Sequence, residues 1–154
     1  MVKLSDLTPE NSQHLLGKEC PEFETSPFVA GPPLRERRVA IVTTAGLHRR
    51  DDNNFDVSDL SYRVIPGDVQ LDDLVMTQAS VNFDRTGFQQ DVNVVFPLDR
   101  LREMDAADEI GSIADFHYAF NGAGQLAPAF EPTAREVGRM LKEDGVNAAI
   151  LVPV

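Results

Sequence analysis

The chain has 154 residues, 42% hydrophobic and 25% charged, which predicts one ordinary globular domain and excludes a collagen-like, coiled-coil or wholly disordered chain. Fourteen basic residues against 25 acidic ones give a net charge of −11, which disfavours non-specific attraction to nucleic acid or to an anionic membrane. A single cysteine, Cys20, allows neither an intramolecular disulfide nor an all-thiolate metal site. There is no apolar run of about 18 residues, and the N-terminus carries carboxylates where a signal peptide needs an apolar stretch, so a cytoplasmic protein is expected.

In chain order, residues 1–37 read as an irregular extension: weak apolar periodicity over Leu4–Leu16, then a proline-rich stretch that cannot sustain regular structure. The remainder, 38–154, reads as one α/β domain. Val39–Thr43 is a β-branched apolar run ending in small residues, as in a buried strand of a parallel sheet. The following residues, 43–59, read as a long polar loop that needs a reason to exist. Ser61–Ile65 reads as a strand stopped by Pro66-Gly67, and Leu74–Gln78 as a further short strand. Asp91–Phe96 is strand-like, and Pro97 suits the first turn of a helix with Leu98, Leu101 and Met104 on one side, ended by Gly111. Residues 113–120 alternate with period two, which places Asp115 and His117 on one strand face. Thr133 and Glu136 have the spacing of a capping box behind Pro132. Val137, Met140 and Leu141 give that helix an apolar stripe, Gly145 ends it, and Asn147–Val152 is a closing strand. Strands alternating with helices predict a three-layer, mainly parallel, Rossmann- or flavodoxin-like fold, with ligands beyond the carboxyl ends of the strands.

Several residues have functional chemistry. Thr43 and Thr44 end the first strand, where hydroxyls and backbone N–H groups can hold a carboxylate or phosphate, although the glycine pattern of a nucleotide loop is absent. His48, beside Arg49, Arg50, Asp51 and Asp52, fits an acid/base group, a metal ligand or an ordinary surface histidine. Asp115 and His117 fit either a carboxylate-oriented imidazole or a structural hydrogen bond. A metal site would need His48, His117 and a carboxylate such as Asp84 or Asp91 to converge, and no local spacing supports one. The polar stretch that includes Ser80, Asn82, Asp84, Arg85 and Thr86 lines a pocket or is a turn-rich connection. Arg35, Arg37, Arg38, Arg49 and Arg50 flank the first strand and are a solvated surface or meet an anion.

The blocks VAIVTTAGLHRR, YRVIPGD, SVNFDRTGFQQDVNVVFPLDRLREM, EIGSIADFHYAFNGA and LKEDGVNAAILVPV, in that order, resemble the glycine/sarcosine/betaine reductase component B and D-proline reductase selenoprotein family over roughly Pro27 to Val154. The resemblance implies a reductase subunit that cleaves a carbon–nitrogen bond of glycine, sarcosine, betaine or D-proline with a dithiol as reductant. It implies other reductase subunits as partners, one of which can carry a pyruvoyl group; separately, an uncovered closing strand predicts an apolar patch that could drive a homo-oligomer. In the family the strand matching Ile150–Val154 runs into a selenocysteine or cysteine motif, so a selenocysteine is expected just after Val154 in a full-length form. A UGA codon read as a stop, or a natural short form, would account for the length. Gln78 departs from the family, where a histidine is often found. The matched positions expected to form the site are His48, His117 and Asp84 as catalytic groups, with Thr43, Thr44, Asp91, Asn93 and Tyr118 binding substrate. The alternatives are a small-ligand-binding or assembly module of the same fold and, more remotely, a racemase-like enzyme.

Overall fold

The structure, a computed structural model, describes residues 3–17, 22, 26, 28–80 and 85–154. The strands are β1 (Arg38–Thr43), β2 (Leu47–Arg49), β3 (Tyr62–Pro66), β4 (Leu74–Met76), β5 (Ser112–Ile113), β6 (Phe116–Phe120) and β7 (Ala148–Val152). The α-helices are α1 (Pro9–Leu16), α2 (Thr86–Gln90), α3 (Leu98–Ala106) and α4 (Glu131–Glu143).

Strand β1 is paired in parallel along both edges. On one side β7 follows it from Val39↔Ala148 to Thr43↔Val152. On the other, β5 pairs at Arg38↔Ser112 and Val39↔Ile113, and β6 takes over at Val42↔Tyr118 and Thr43↔Ala119. Between these pairings the β5–β6 side uses two more residues than β1, so Ala114 and Asp115 form a bulge. Strand β3 runs antiparallel along the outside of β6, and β2 and β4 form a separate antiparallel pair. The sheet is therefore mixed but mainly parallel.

The period-two alternation of the strands divides the core between two faces. Val39, Ile41 and Ala119 meet Leu98 and Leu101 of α3, Leu47 of β2 and Leu74 of β4. Tyr118 and Phe120, with Val42 and Tyr62, meet Val137, Met140 and Leu141 of α4. Helices thus cover both faces, giving the expected three-layer, flavodoxin-like α/β arrangement.

Local chemistry shifts several of the expected elements. The stretch read as a polar loop contains β2, because Leu47 and His48 are buried and pair with Met76 and Val75. Asp91–Phe96 is not a strand: the Asp91 side chain accepts from the Asn93 N–H and starts a 3-10 turn over Val92–Val94, while Val95 and Phe96 fill the core. Helix α3 ends before Gly111, and the left-handed position after it is taken by Asp108 at φ 55°. Helix α4 begins at Glu131, with Pro132 in its first turn; Thr133 donates its hydroxyl to the Leu60 and Phe130 carbonyls, so no capping box forms. Within the extension, Thr8 caps α1 by accepting from Asn11 N–H, and no residue of that helix is buried. Gly145 takes its expected left-handed conformation at φ 71°.

The amino end of β1 is fastened by one side chain. Arg38 donates to the Asp144 carbonyl and carboxylate after α4, to the Ile113 carbonyl at 2.6 Å and to Asp115 Oδ1 at 2.8 Å. Asp144 Oδ2 in turn accepts the Asp115 N–H at 2.9 Å, which closes the bulge onto the helix end. Arg38→Ala leaves the part-buried Asp144 carboxylate and Ile113 carbonyl without their donor, so it is expected to lower unfolding free energy by about 2–3 kcal/mol in urea titrations.

Candidate functional site

Because β1, β6 and β7 run the same way, the segments that leave them meet at one edge of the sheet. Thr44 N–H donates to the Val152 carbonyl at 3.1 Å, Gly46 N–H to Phe120 at 2.9 Å, and Gly122 N–H to Thr44 at 3.0 Å. The Thr44 hydroxyl accepts the Val154 N–H at 2.8 Å and donates to the Val154 carbonyl at 3.3 Å. Two glycines permit this approach. A Cβ on Gly122 would lie 2.8 Å from Thr44 Cβ, and one on Gly46, at φ +67°, would lie 3.0 Å from the Gln78 backbone nitrogen.

Two buried amides brace the edge. Gln78 donates from Nε2 to the Thr44 carbonyl at 2.9 Å and accepts the Ser80 N–H at Oε1. Asn121, fully buried, donates from Nδ2 to the Asp56 carbonyl at 2.8 Å, tying the 50s loop to the end of β6. Arg63 holds the same loop through the Asn53 and Asn54 carbonyls and Asp59, with its guanidinium 4.1 Å from the Phe55 ring centroid. An Asn-Gly pair following an apolar strand is the sequence signal that would have pointed to Asn121.

Over this edge lies a cleft of about 230 Å³, lined by Thr44, Phe120, Gly122, Ala127, Phe130 and Ala134. The Phe120 and Phe130 rings meet edge to face at 5.9 Å. A larger groove of about 540 Å³ follows the bulge, but its wall carries Asp68 and Asp115, which repel an anionic ligand.

The expected site residues do not form one cluster. Thr44 borders the cleft. Thr43 is fully buried beneath it, its hydroxyl accepting the Ala45 N–H at 3.2 Å. Tyr118 lies on the α4 face against Tyr62, and burial pushes its phenol upward. Asp91 and Asn93 sit at the start of α3, where Asn93 Oδ1 accepts the Asp99 N–H in place of the cap that Pro97 lacks. Hydrogen bonds from the Asn93 side chain and N–H hold the Asp91 carboxyl below the usual range. Asp84 and Cys20 lie outside the described residues. Among the described residues no group of three or more His, Cys, Asp or Glu side chains could hold a metal ion, and no helix is long and apolar enough to cross a membrane.

Both candidate histidines are core residues. His48 donates from Nδ1 to the Arg49 carbonyl at 2.7 Å, and its ring lies edge-on to Phe55. His117 accepts the Ile41 N–H at Nδ1, 3.0 Å away. At the bulge the β5–β6 edge leaves this β1 donor to a side chain. The proton of neutral His117 is therefore on Nε2, which is buried without a partner among the described residues, as is His48 Nε2. Asp115 does not orient His117; it points outward to Arg38, because the bulge breaks the alternation that would have aligned them. Burial, reinforced by the Arg102 and Arg38 charges, lowers the His117 pKa to about 4.

The sequence profile of the glycine/sarcosine/betaine reductase selenoprotein B family matches residues 19–154. The chain belongs to this family. It is 36% identical over 120 residues to the D-proline reductase subunit gamma of Acetoanaerobium sticklandii, covering 77% of this chain and 49% of that protein. The glycine reductase complex component B subunit gamma of Carboxydothermus hydrogenoformans is 29% identical over 136 residues, covering 85% and 31%. The betaine reductase complex component B subunit beta of Peptoclostridium acidaminophilum is 28% identical over 122 residues, covering 77% and 28%. The chain thus spans half or less of the length of these relatives of the selenoprotein B family. No solved structure matches it.

The buried imidazole sets a pH dependence. Unfolded, His117 takes up a proton near pH 6.5, whereas folded it does so only near 4, so the unfolded state binds more protons between these values and stability falls as pH drops through that window. The loss attributable to His117 is on the order of 3 kcal/mol. NMR titration of the His117 ring checks the low pKa, and urea unfolding at pH 7 and 5, compared with His117→Gln, checks the sign.

Proposed function

We propose that this chain forms the substrate-binding side of a subunit that reductively cleaves the carbon–nitrogen bond of a small amino acid or betaine, alongside other reductase subunits. The observation that supports this most directly is the cleft at the shared carboxyl edge of β1, β6 and β7, in a chain of the selenoprotein B family. Open α/β sheets bind ligands there, where strand ends leave backbone groups and loops free to differ. Thr44, Gln78 and Asn121 keep the edge rigid. Thr43, His117 and Tyr118 support it from the core, Asp91 and Asn93 shape the start of α3, and Asp84 is the proposed proton-handling group, since His48 is buried in β2 and does not border the cleft.

The chemistry needs a strongly nucleophilic selenolate or low-pKa thiolate and a second thiol to resolve its adduct. These 154 residues contain one cysteine, Cys20, so the pair comes from polypeptide outside them. The family resemblance supports a position after Val154. The cleft rim suits that placement, because the exit from β7 is held by the Thr44 hydroxyl beside Gly122, where no side chain intervenes. A pyruvoyl group on a partner subunit would serve to activate an amine substrate.

The single cysteine supports a second reading, a binding or assembly module that receives its redox pair from another chain. The test is a protein extended through the codons after Val154, with selenocysteine or cysteine in place, assayed for dithiol-dependent reduction of D-proline, glycine, sarcosine and betaine. Turnover of one of them is expected. Ligand binding without turnover supports the module, and racemisation by the 154-residue form would overturn the reductase reading.

A further inference from the structure

The candidate substrates differ in the hydrocarbon they carry: glycine has none beyond its α-carbon, whereas D-proline has a ring. The wall of the cleft at the carboxyl edge suits hydrocarbon. Phe120 and Phe130 supply rings that meet edge to face, and Gly122, Ala127 and Ala134 supply only backbone and methyl groups. The one hydroxyl, on Thr44, is engaged by Val154 both as acceptor and as donor. A carboxylate or ammonium drawn inside would lose its water and meet no free side-chain partner, so the charged groups of an amino acid stay at the rim.

The same residues limit what enters. At about 230 Å³ the cleft is smaller than the roughly 300–1,000 Å³ pockets that hold drug-sized ligands, and its opening depends on wall residues with little or no side chain. Ala134 is the one of these that belongs to a helix fastened on both sides of it. It closes the first turn of α4. Beside it, the Thr133 hydroxyl donates to the Leu60 carbonyl at 2.9 Å and to the Phe130 carbonyl at 3.1 Å. In the next turn Val137 is buried in one cluster with Tyr118 and Phe120. The start of α4 is therefore held against the sheet and does not swing away to make room. Ala134 itself is exposed, so a larger side chain there narrows the cleft without disturbing the core.

We infer that the cleft receives the hydrocarbon part of the substrate and that Ala134 is the residue that sets how large a part it admits. This inference rests on the proposed function. Ring methylenes lie against Phe120 and Phe130, while the carboxylate and the carbon–nitrogen bond stay at the rim. Each methylene removed from water adds up to about fourfold in affinity, and one that the walls do not accommodate costs about 10-fold or more. Ala134 thus selects among small amino acids without touching the reacting atoms.

The test is an NMR titration of the ¹⁵N-labelled 154-residue chain with glycine, D-proline, D-pipecolate, whose ring is larger by a methylene, and cyclopentanecarboxylate, which keeps the ring without the nitrogen. D-Proline is expected to bind about 10- to 50-fold more tightly than glycine, from the methylenes it buries, and to shift the Ala127 and Ala134 signals. Ala134→Leu is expected to remove most of that preference, weakening D-proline by about 10-fold or more and glycine by no more than about twofold. Ala134→Gly widens the mouth and moves the preference toward D-pipecolate, and it provides the readout if the leucine variant is unfolded by circular dichroism. Gly138→Ala, on the same helix but with open space around it, changes none of these. If the Ala134 variants weaken glycine and D-proline equally, or change neither, or if the wild-type chain does not distinguish the two, the cleft does not select by size and the inference falls while the proposed function stands. Binding of cyclopentanecarboxylate but no amino acid, weakened in Ala134→Leu, keeps the size filter and overturns the amino-acid reading. No binding of any probe by the wild-type chain overturns both.

Discussion

The backbone of β1 is hydrogen-bonded on both edges, and the placement of the rest of the domain follows from that constraint. A strand with parallel neighbours on either side has no free edge to slide along, so its register with β7 and with β5–β6 also fixes where the ends of those strands lie. The amino end is closed by Arg38, which joins β1, the bulge and the end of α4. With that end fastened, the carboxyl ends converge on Thr44, Asn121 and Val154.

The same constraint explains why the polar residues of the core are few and individually matched. Ile41 N–H points at the bulge, where the neighbouring strand is out of step, and the His117 ring accepts it instead. Leaving that donor unpaired would cost about 1–3 kcal/mol, so the imidazole is held neutral by the needs of the sheet. Protonation of Nδ1 would remove that acceptor and weaken β1. His117 is therefore better suited to supporting the sheet beneath the cleft than to titrating in it.

Much of the fold was legible in local patterns: the β-branched run of β1, the Leu98–Leu101–Met104 side of α3, the stripe on α4 and the left-handed Gly145. The errors share a cause. Leu47-His48 and Asp91–Phe96 are short apolar or mixed runs whose conformation depends on what they pack against, and periodicity over so few residues does not separate strand from turn. Asp115 and His117 were two apart in an alternating run, but a bulge that no local signal announced placed one in solvent and the other in the core. Asn121 was not legible as a brace of this edge because the carbonyl it holds, on Asp56, lies 65 positions earlier.

The sequence by itself determined the α/β class, the family and the presence of a single cysteine, since these depend on residue pattern and identity along the chain. Only the tertiary structure decided which polar residues share an edge. That depends on strand register and on the Arg38 staple, both products of contacts between residues far apart in the chain. Thr44, Gln78 and Arg85 became one hydrogen-bonded series when β1 and the segment after β4 were brought side by side. The physical reason is that a hydrogen bond acts over about 3 Å in space, whatever the separation in sequence.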